Sequence, residues 1–257
     1  MRGATGRTIK AGINGRTGSA TRALVVIPAH NEEETIREVV TRSLKHADVS
    51  VTDDGSRDET LKILEGIKRE ADRGKHGHRL NIVKHPQATH IPRAVQDGLK
   101  WGAAQRQYDY FITMDAGLSH DPDALPDFLA ADPGAEVVIG SRRRPENVPA
   151  YRRLVSRLGA LVINYALSES YLDVAGPRLR DCTSGFRRYS RRAAEAIAAA
   201  ELRSRAFDFH MEALALCLRR GMRAAEIPIT YVFSNSSFNR KVLWQAMKFG
   251  WRLIRTK

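Results

Sequence analysis

The chain has 257 residues, 42% hydrophobic and 28% charged, enough for one sizeable α/β domain or two small ones and too apolar for wholesale disorder. Its formal charge is +13, and the excess sits at the two ends. Arg2, Arg7, Lys10, Arg16 and Arg22 precede the first acid, Glu32; Arg240, Lys241, Lys248, Arg252, Arg255 and Lys257 follow the last, Glu226.

The rest of the chain holds 31 basic and 29 acidic residues and is close to neutral. Basic ends on a neutral body point to an anionic surface such as a lipid headgroup layer. No nucleic-acid partner is expected, because the body lacks interleaved aromatics and a nucleic-acid-binding motif. Cys182 and Cys217 match no metal spacing and build no disulfide framework, so they read as free thiols in a reducing cytosol. No apolar run follows the basic N-terminus as in a signal peptide. The stretch "LGALVINYAL" falls short of the roughly 20 residues that span a bilayer. The expected location is cytoplasmic and peripheral, on the inner face of the membrane.

Residues 1–22, rich in Gly, Thr and Arg, read as a flexible basic tail. "ALVVIP" then reads as a buried strand, and Asn31 as the cap of a helix with Glu32, Glu33 and Glu34 in its first turn. "VSVTD" and "ETLKILEGIKREA", "LNIV" and "AVQDGLKWGAA", and "YFITM" and "DALPDFLA" repeat the strand–helix pair, and "EVVIG" adds a fifth strand. Strands separated by helices of this length pair in parallel through right-handed crossovers. From Pro149 the pattern is mainly helical, through "YRRLVSRLGALVINYAL", "RRAAEAIAAAEL" and "FHMEALALCLRRG", before a last strand, "AAEIPITYVF". The fold class is therefore α/β, a mainly parallel, doubly wound, Rossmann-like sheet with helices on both faces and a mainly helical acceptor-side half.

In an open parallel sheet, ligands bind beyond the carboxyl ends of the strands. Three acidic clusters fall there: Pro28-Ala29-His30-Asn31-Glu32, Asp53-Asp54-Gly55-Ser56 and Asp115-Ala116-Gly117. Asp-Gly-Ser after a strand is also good turn chemistry. Three clusters on one edge, however, suit a ligand with ribose hydroxyls and a metal-bound diphosphate.

Six segments, "VVIPAHNEEETI", "VTDDGSRDET", "MDAGLSHDP", "VIGSRR", "DCTSGFRRYSRRA" and "FDFHMEALALCLRRGMRAAEIPI", follow the order and rough spacing of family-2 glycosyltransferases. Over about residues 23–235 the chain most resembles the dolichyl- and polyprenyl-phosphate mannose synthase group. The resemblance implies a GT-A domain (residues 23–239), a nucleotide-sugar donor, an inverting displacement and Mg²⁺ or Mn²⁺ as cofactor. It assigns Pro28, His30, Glu32, Asp53 and Asp54 to the nucleotide and Asp115 to catalysis as the metal ligand. Arg142 and Asp181 join the catalytic set, and Arg142, Arg152, Ser184 and Arg187 are assigned to the acceptor. Glu212, with His210 where the family carries Gln, falls in a motif facing the active centre.

Two positions depart from the family. The metal motif is usually Asp-Ala-Asp, and here its second Asp is Gly117, with Ser119, His120 and Asp121 as candidate replacements. The later loop lacks the usual Ser-Lys pair and reads Asn235-Ser236-Ser237-Phe238-Asn239, with Arg240 and Lys241 close by.

The implied acceptor is a polyprenyl phosphate, an anion that needs no general base, and the arginines at 142–144, 152, 153 and 157 suit it. A hydroxyl acceptor, glycan or glycolipid, is the alternative and would need a base, for which His120 is the candidate. A non-catalytic nucleotide-binding module is the third reading. Residues 240–257 read as an amphipathic basic helix, with Val242, Leu243, Ala246, Phe249, Leu253 and Ile254 on one stripe and Trp244 and Trp251 on nearly the same side. Docking on an anionic membrane and docking on the domain's own core both fit that pattern.

Overall fold

The computed structural model of the chain describes residues 22–146, 160–161, 164–165, 178–206 and 208–232. The expected tail, Arg152, Arg153, Arg157, the 235–241 loop and the C-terminal helix lie outside these residues.

The run from Ala23 to Ile27 is apolar on both of its alternating faces, and a strand of that kind needs cover on both sides. It becomes β1 (Ala23–Ala29), near the middle of a seven-stranded sheet. The other strands are β2 (Asp48–Asp53), β3 (Leu80–Lys84), β4 (Tyr110–Thr113), β5 (Val137–Glu146), β6 (Arg187–Ser190) and β7 (Ala224–Val232), in the order β3-β2-β1-β4-β6-β5-β7. Leu24 and Val26 pack on one face with Val95 and Leu99 of α3 (Ile91–Ala104), Ile197 of α5 (Arg191–Ala198) and Leu214 of α6 (Asp208–Arg219). Val25 and Ile27 pack on the other with Ile36 and Val40 of α1 (Ile36–Ser43), Leu64 and Ile67 of α2 (Thr60–Asp72) and Phe128 of α4 (Leu125–Ala130).

Strands β1 to β3 progress outward in one direction, and the chain then returns to place β4 on the other side of β1. That reversal is the switch point at which a crevice opens beyond the strand ends. It brings the ends of β1, β2 and β4, and the three acidic clusters, to one edge.

The sheet is mainly parallel, as expected, and two details differ from the sequence reading. One is β6, which was not among the expected strands and runs antiparallel to both β4 and β5. The strand was hidden because its first residues are Arg187 and Arg188, which a sequence reading gives to solvent. Both are fully buried. Arg188 donates to the carbonyls of Phe128, Ala131, Asp132 and Ala135 and lies 4.2 Å over the Tyr110 ring, so its charge is hydrogen-bonded inside the protein. The second difference is Asn31, which does not cap α1. Its φ is 55°, the helix starts at Ile36, and Glu32, Glu33 and Glu34 lie in the loop before it.

Cys182 and Cys217 are buried free thiols. Burial pushes them up to about 12 and about 11, so neither is a nucleophile at neutral pH. Among the described residues, no helix is long and apolar enough to cross a membrane.

Candidate active site

The left-handed backbone at Asn31 turns the loop after β1 towards the loop after β2, and the two are laced together. Asn31 donates its N–H to Ser56 Oγ at 3.0 Å and accepts from the Arg57 N–H at 2.8 Å. The Glu32 N–H donates to Thr60 Oγ1 at 2.8 Å, and the Glu33 N–H to Asp58 at 3.2 Å. The seam borders a cleft of about 480 Å³ lined by Asn31–Thr35, Arg57 and Asp58. His30 is exposed and donates from Nδ1 to the Asp54 carbonyl at 2.8 Å, while Pro28 pairs in register with Thr52.

The two aspartates that end β2 take opposite roles. Asp53 is 2% exposed, and its Oδ1 has no hydrogen-bond partner in the protein. A buried carboxylate oxygen left open at a ligand edge is what a donor hydroxyl or base N–H would satisfy. Asp54 is spent inside the protein. It accepts from the Thr89 N–H at 2.9 Å, the Thr89 hydroxyl at 2.7 Å and the His90 N–H at 3.0 Å, and His85 Nδ1 lies 2.7 Å away. Burial alone would raise its pKa, but these hydrogen bonds outweigh burial and lower it. Expected beside the nucleotide, Asp54 is hydrogen-bonded instead to the 85–90 loop through both oxygens.

The Asp115 side chain is 40% exposed, two residues past the end of β4. Burial raises the Glu32 carboxyl above its ordinary range; a hydrogen bond with Thr35 opposes this, and the charges of Asp115, Asp58 and Glu34 add to it. The Thr35 hydroxyl also reaches the Ala116 carbonyl at 3.0 Å, which ties the first loop to the Asp-Ala-Gly turn.

No group of three or more His, Cys, Asp or Glu able to hold a metal ion occurs among the described residues. The three candidate replacements for Gly117 do not fill the gap. Ser119 is buried, and Asp121 is engaged by Arg42 and the Asp123 N–H. His120 is 2% exposed, accepts from the Asp115 N–H at 3.2 Å and stacks on Phe186 with centroids 5.1 Å apart. Burial lowers the His120 pKa, so the ring is neutral and shielded. It cannot serve a hydroxyl acceptor as general base by direct contact. What remains fits a hard cation that takes one protein carboxylate, Asp115, and draws its other ligands from a diphosphate and water.

Arg142 and Asp181 form a bidentate pair at 2.6 and 2.7 Å, with Arg142 also donating to Thr183 Oγ1 at 2.6 Å and its guanidinium 5.3 Å from the Tyr231 ring. Asp181 is 5% exposed and also accepts the Thr183 and Ser184 N–H groups. Burial pushes its carboxyl up, but Arg142 overrides this and holds it at about 2. Both Asp181 oxygens are therefore engaged within the protein. Ser184 is 1% exposed, with its Oγ unpartnered. Arg187, expected at the acceptor, presents no surface to solvent. It is fully buried and donates to the carbonyls of Ser184, Cys182 and His210, shaping the Ser-Gly-Phe turn from behind.

At Gly185 a Cβ would stand 2.8 Å from His210 Nε2, so only glycine lets the turn lie against that ring. Burial takes His210 well below its usual pKa, and its Nδ1 has no partner. Glu212 accepts the Arg203 and Ser204 N–H groups at 3.1 and 2.8 Å.

Residues 24–198 match the Glycosyl transferase family 2 domain. The chain is 32% identical over 218 residues to an undecaprenyl-phosphate mannosyltransferase of Micrococcus luteus, covering 82% of this chain and 84% of that one. It is 28% identical to a UDP-N-acetylglucosamine–dolichyl-phosphate N-acetylglucosaminyltransferase of Methanococcus voltae, covering 91% of this chain and 95% of that one. Among solved structures, glucosyl-3-phosphoglycerate synthase from Mycobacterium tuberculosis in complex with Mn²⁺, UDP and glucosyl-3-phosphoglycerate superposes with a TM-score of 0.62 at 19% identity, covering 90% of this chain and 78% of that one. The chain belongs to glycosyl transferase family 2: it is a glycosyltransferase with a GT-A fold.

Proposed function

We propose that the enzyme transfers a glycosyl group from a nucleoside-diphosphate sugar to a polyprenyl phosphate. The two relatives differ in the sugar their names carry and agree on a polyprenyl-phosphate acceptor. The observation that carries the reading is the burial of His120: the candidate base for a hydroxyl acceptor is sealed off, and a phosphate acceptor needs none.

In this reading Asp53 accepts from the nucleoside through its open Oδ1, and Pro28, His30 and Glu32 border the same edge. Asp115 holds Mg²⁺ or Mn²⁺, which supplies charge stabilisation to the departing diphosphate when bound. Arg142, kept in place by Asp181, presents its guanidinium to the anionic acceptor beside Ser184, and Arg152 adds a second cation. The basic ends hold the enzyme on the inner membrane face, where a lipid acceptor lies.

The test is a panel of nucleotide sugars offered with a short polyprenyl phosphate and, separately, with simple glycans. The reading predicts one productive donor and glycosylation of the lipid phosphate alone. Glycan products without lipid product would replace it with the hydroxyl-acceptor reading.

A further inference from the structure

The loop from His85 to His90 follows β3 and leads into α3, and it lies against the Asp-Asp-Gly turn at the end of β2. Gly55 takes φ +69°, and a Cβ there would stand 2.6 Å from the Gln87 carbonyl carbon, so the turn and the loop are in backbone contact. At the base of this contact is His85, whose side chain is only 11% exposed. Its Nδ1 is 2.7 Å from Asp54 Oδ1, and its Nε2 is 3.2 Å from Asp97 Oδ2 on α3. Both partners are carboxylate oxygens, which only accept, so the ring lies between two acceptors, hydrogen-bonded to Asp54 and close to Asp97. Arg93, one helical turn before Asp97, donates to the same carboxylate oxygen at 2.7 Å and fixes it from the solvent side. Asp54 in turn collects the Thr89 and His90 N–H groups at the entrance to α3, where a carboxylate suits the helix dipole.

We propose that His85 is a positioning residue for the nucleotide donor: it bridges Asp54 to Asp97 and so sets the turn that carries Asp53. The inference rests on the reading of Asp53 as a donor contact. Asp53 is joined to this loop directly, since its carbonyl accepts the His85 N–H at 2.9 Å, and it immediately precedes Asp54 in the chain. A bridge that loosens there shifts the open Oδ1 of Asp53 without touching the ligand.

The test uses the full chain, UDP and GDP as probes by calorimetry with Mg²⁺, and amide hydrogen exchange of the ligand-free protein. His85→Ala should weaken binding of the preferred diphosphate by about tenfold, the worth of one charge-assisted hydrogen bond. It should also speed exchange at Thr89 and His90, and added imidazole should restore affinity. His85→Phe keeps a ring in place without the donors and should lose affinity as His85→Ala does. Unchanged exchange in His85→Ala, or full affinity in His85→Phe, would overturn the bridge. Faster exchange with unchanged affinity would overturn its link to the donor. A wild-type protein that binds neither diphosphate would overturn the donor reading of Asp53 itself, a result the exchange data keep separate from failure of the bridge.

Discussion

The Arg142 guanidinium and the Asp181 carboxylate meet edge to edge, Nε to Oδ2 at 2.6 Å and Nη2 to Oδ1 at 2.7 Å, and so tie β5 to the Ser-Gly-Phe turn. Neither group is a free charge. Asp181→Asn strands a largely buried cation, which costs about 3–5 kcal/mol when a buried pair is broken. Asp181 is held at about 2, below its unfolded value, so its contribution is present above the ordinary carboxylate range and lost as pH falls through about 2. Urea unfolding of wild type and Asp181→Asn should show a constant gap down to about pH 5 that closes between about pH 4 and 2.

Asp53 and Asp54 should separate cleanly by substitution. Asp53→Ala removes a carboxylate whose Oδ1 has no partner, so it should weaken nucleoside diphosphate binding about tenfold or more while leaving thermal stability unchanged or higher. Asp54→Ala removes the acceptor of the Thr89 and His90 N–H groups and should cost stability by about 2–4 kcal/mol. Calorimetry and melting curves on both variants check this, and equal melting losses would contradict it.

Asp115→Ala should abolish transfer with the fold intact, and excess chelator should do the same to wild type. Gly117 offers the complementary experiment. A Cβ there meets nothing within 4 Å, so Gly117→Asp has room to add the carboxylate the family usually carries. The variant should bind Mn²⁺ without donor about tenfold more tightly than wild type, by titration followed with electron paramagnetic resonance. Identical Mn²⁺ affinity would show that residue 117 does not face the cation.

The segment 241–257 carries five cations and no acid, and Trp244 and Trp251 are seven residues apart. Each cation near an anionic leaflet is worth about 1 kcal/mol, and such binding fades with salt. The full chain should sediment with anionic liposomes at low salt, and deletion of 241–257 should reduce sedimentation while the body stays folded. An insoluble truncation would place the segment in the fold instead.

The parallel half of the fold was legible because its strands are short apolar runs between amphipathic helices, and period alone separates the two. β6 was not, because Arg187 and Arg188 are buried by hydrogen bonds to carbonyls rather than by apolarity. The acidic edge beyond β1, β2 and β4 was legible as a cluster, but the partition within it was not. Adjacent aspartates look alike in sequence, and only the loop brought from residues 85–90 distinguishes Asp54 from Asp53. His85 itself carried no signal beyond a lone histidine after a strand, and its role depends on Asp97, which the helical turn of α3 brings to it. His120 was the candidate base for a hydroxyl acceptor, and a lone histidine carries no sign of burial; its stacking on Phe186 and its bridge to Tyr231 turn it inward.

The central claim is that a phosphate, and not a hydroxyl, attacks the sugar. The most direct measurement compares a short polyprenyl phosphate with the polyprenol of the same chain, which differ only in that phosphate, using the productive donor and wild-type enzyme. Product from the phosphate, with none above background from the alcohol at any pH, is the predicted result. Glycosylation of the alcohol at a comparable rate would contradict it.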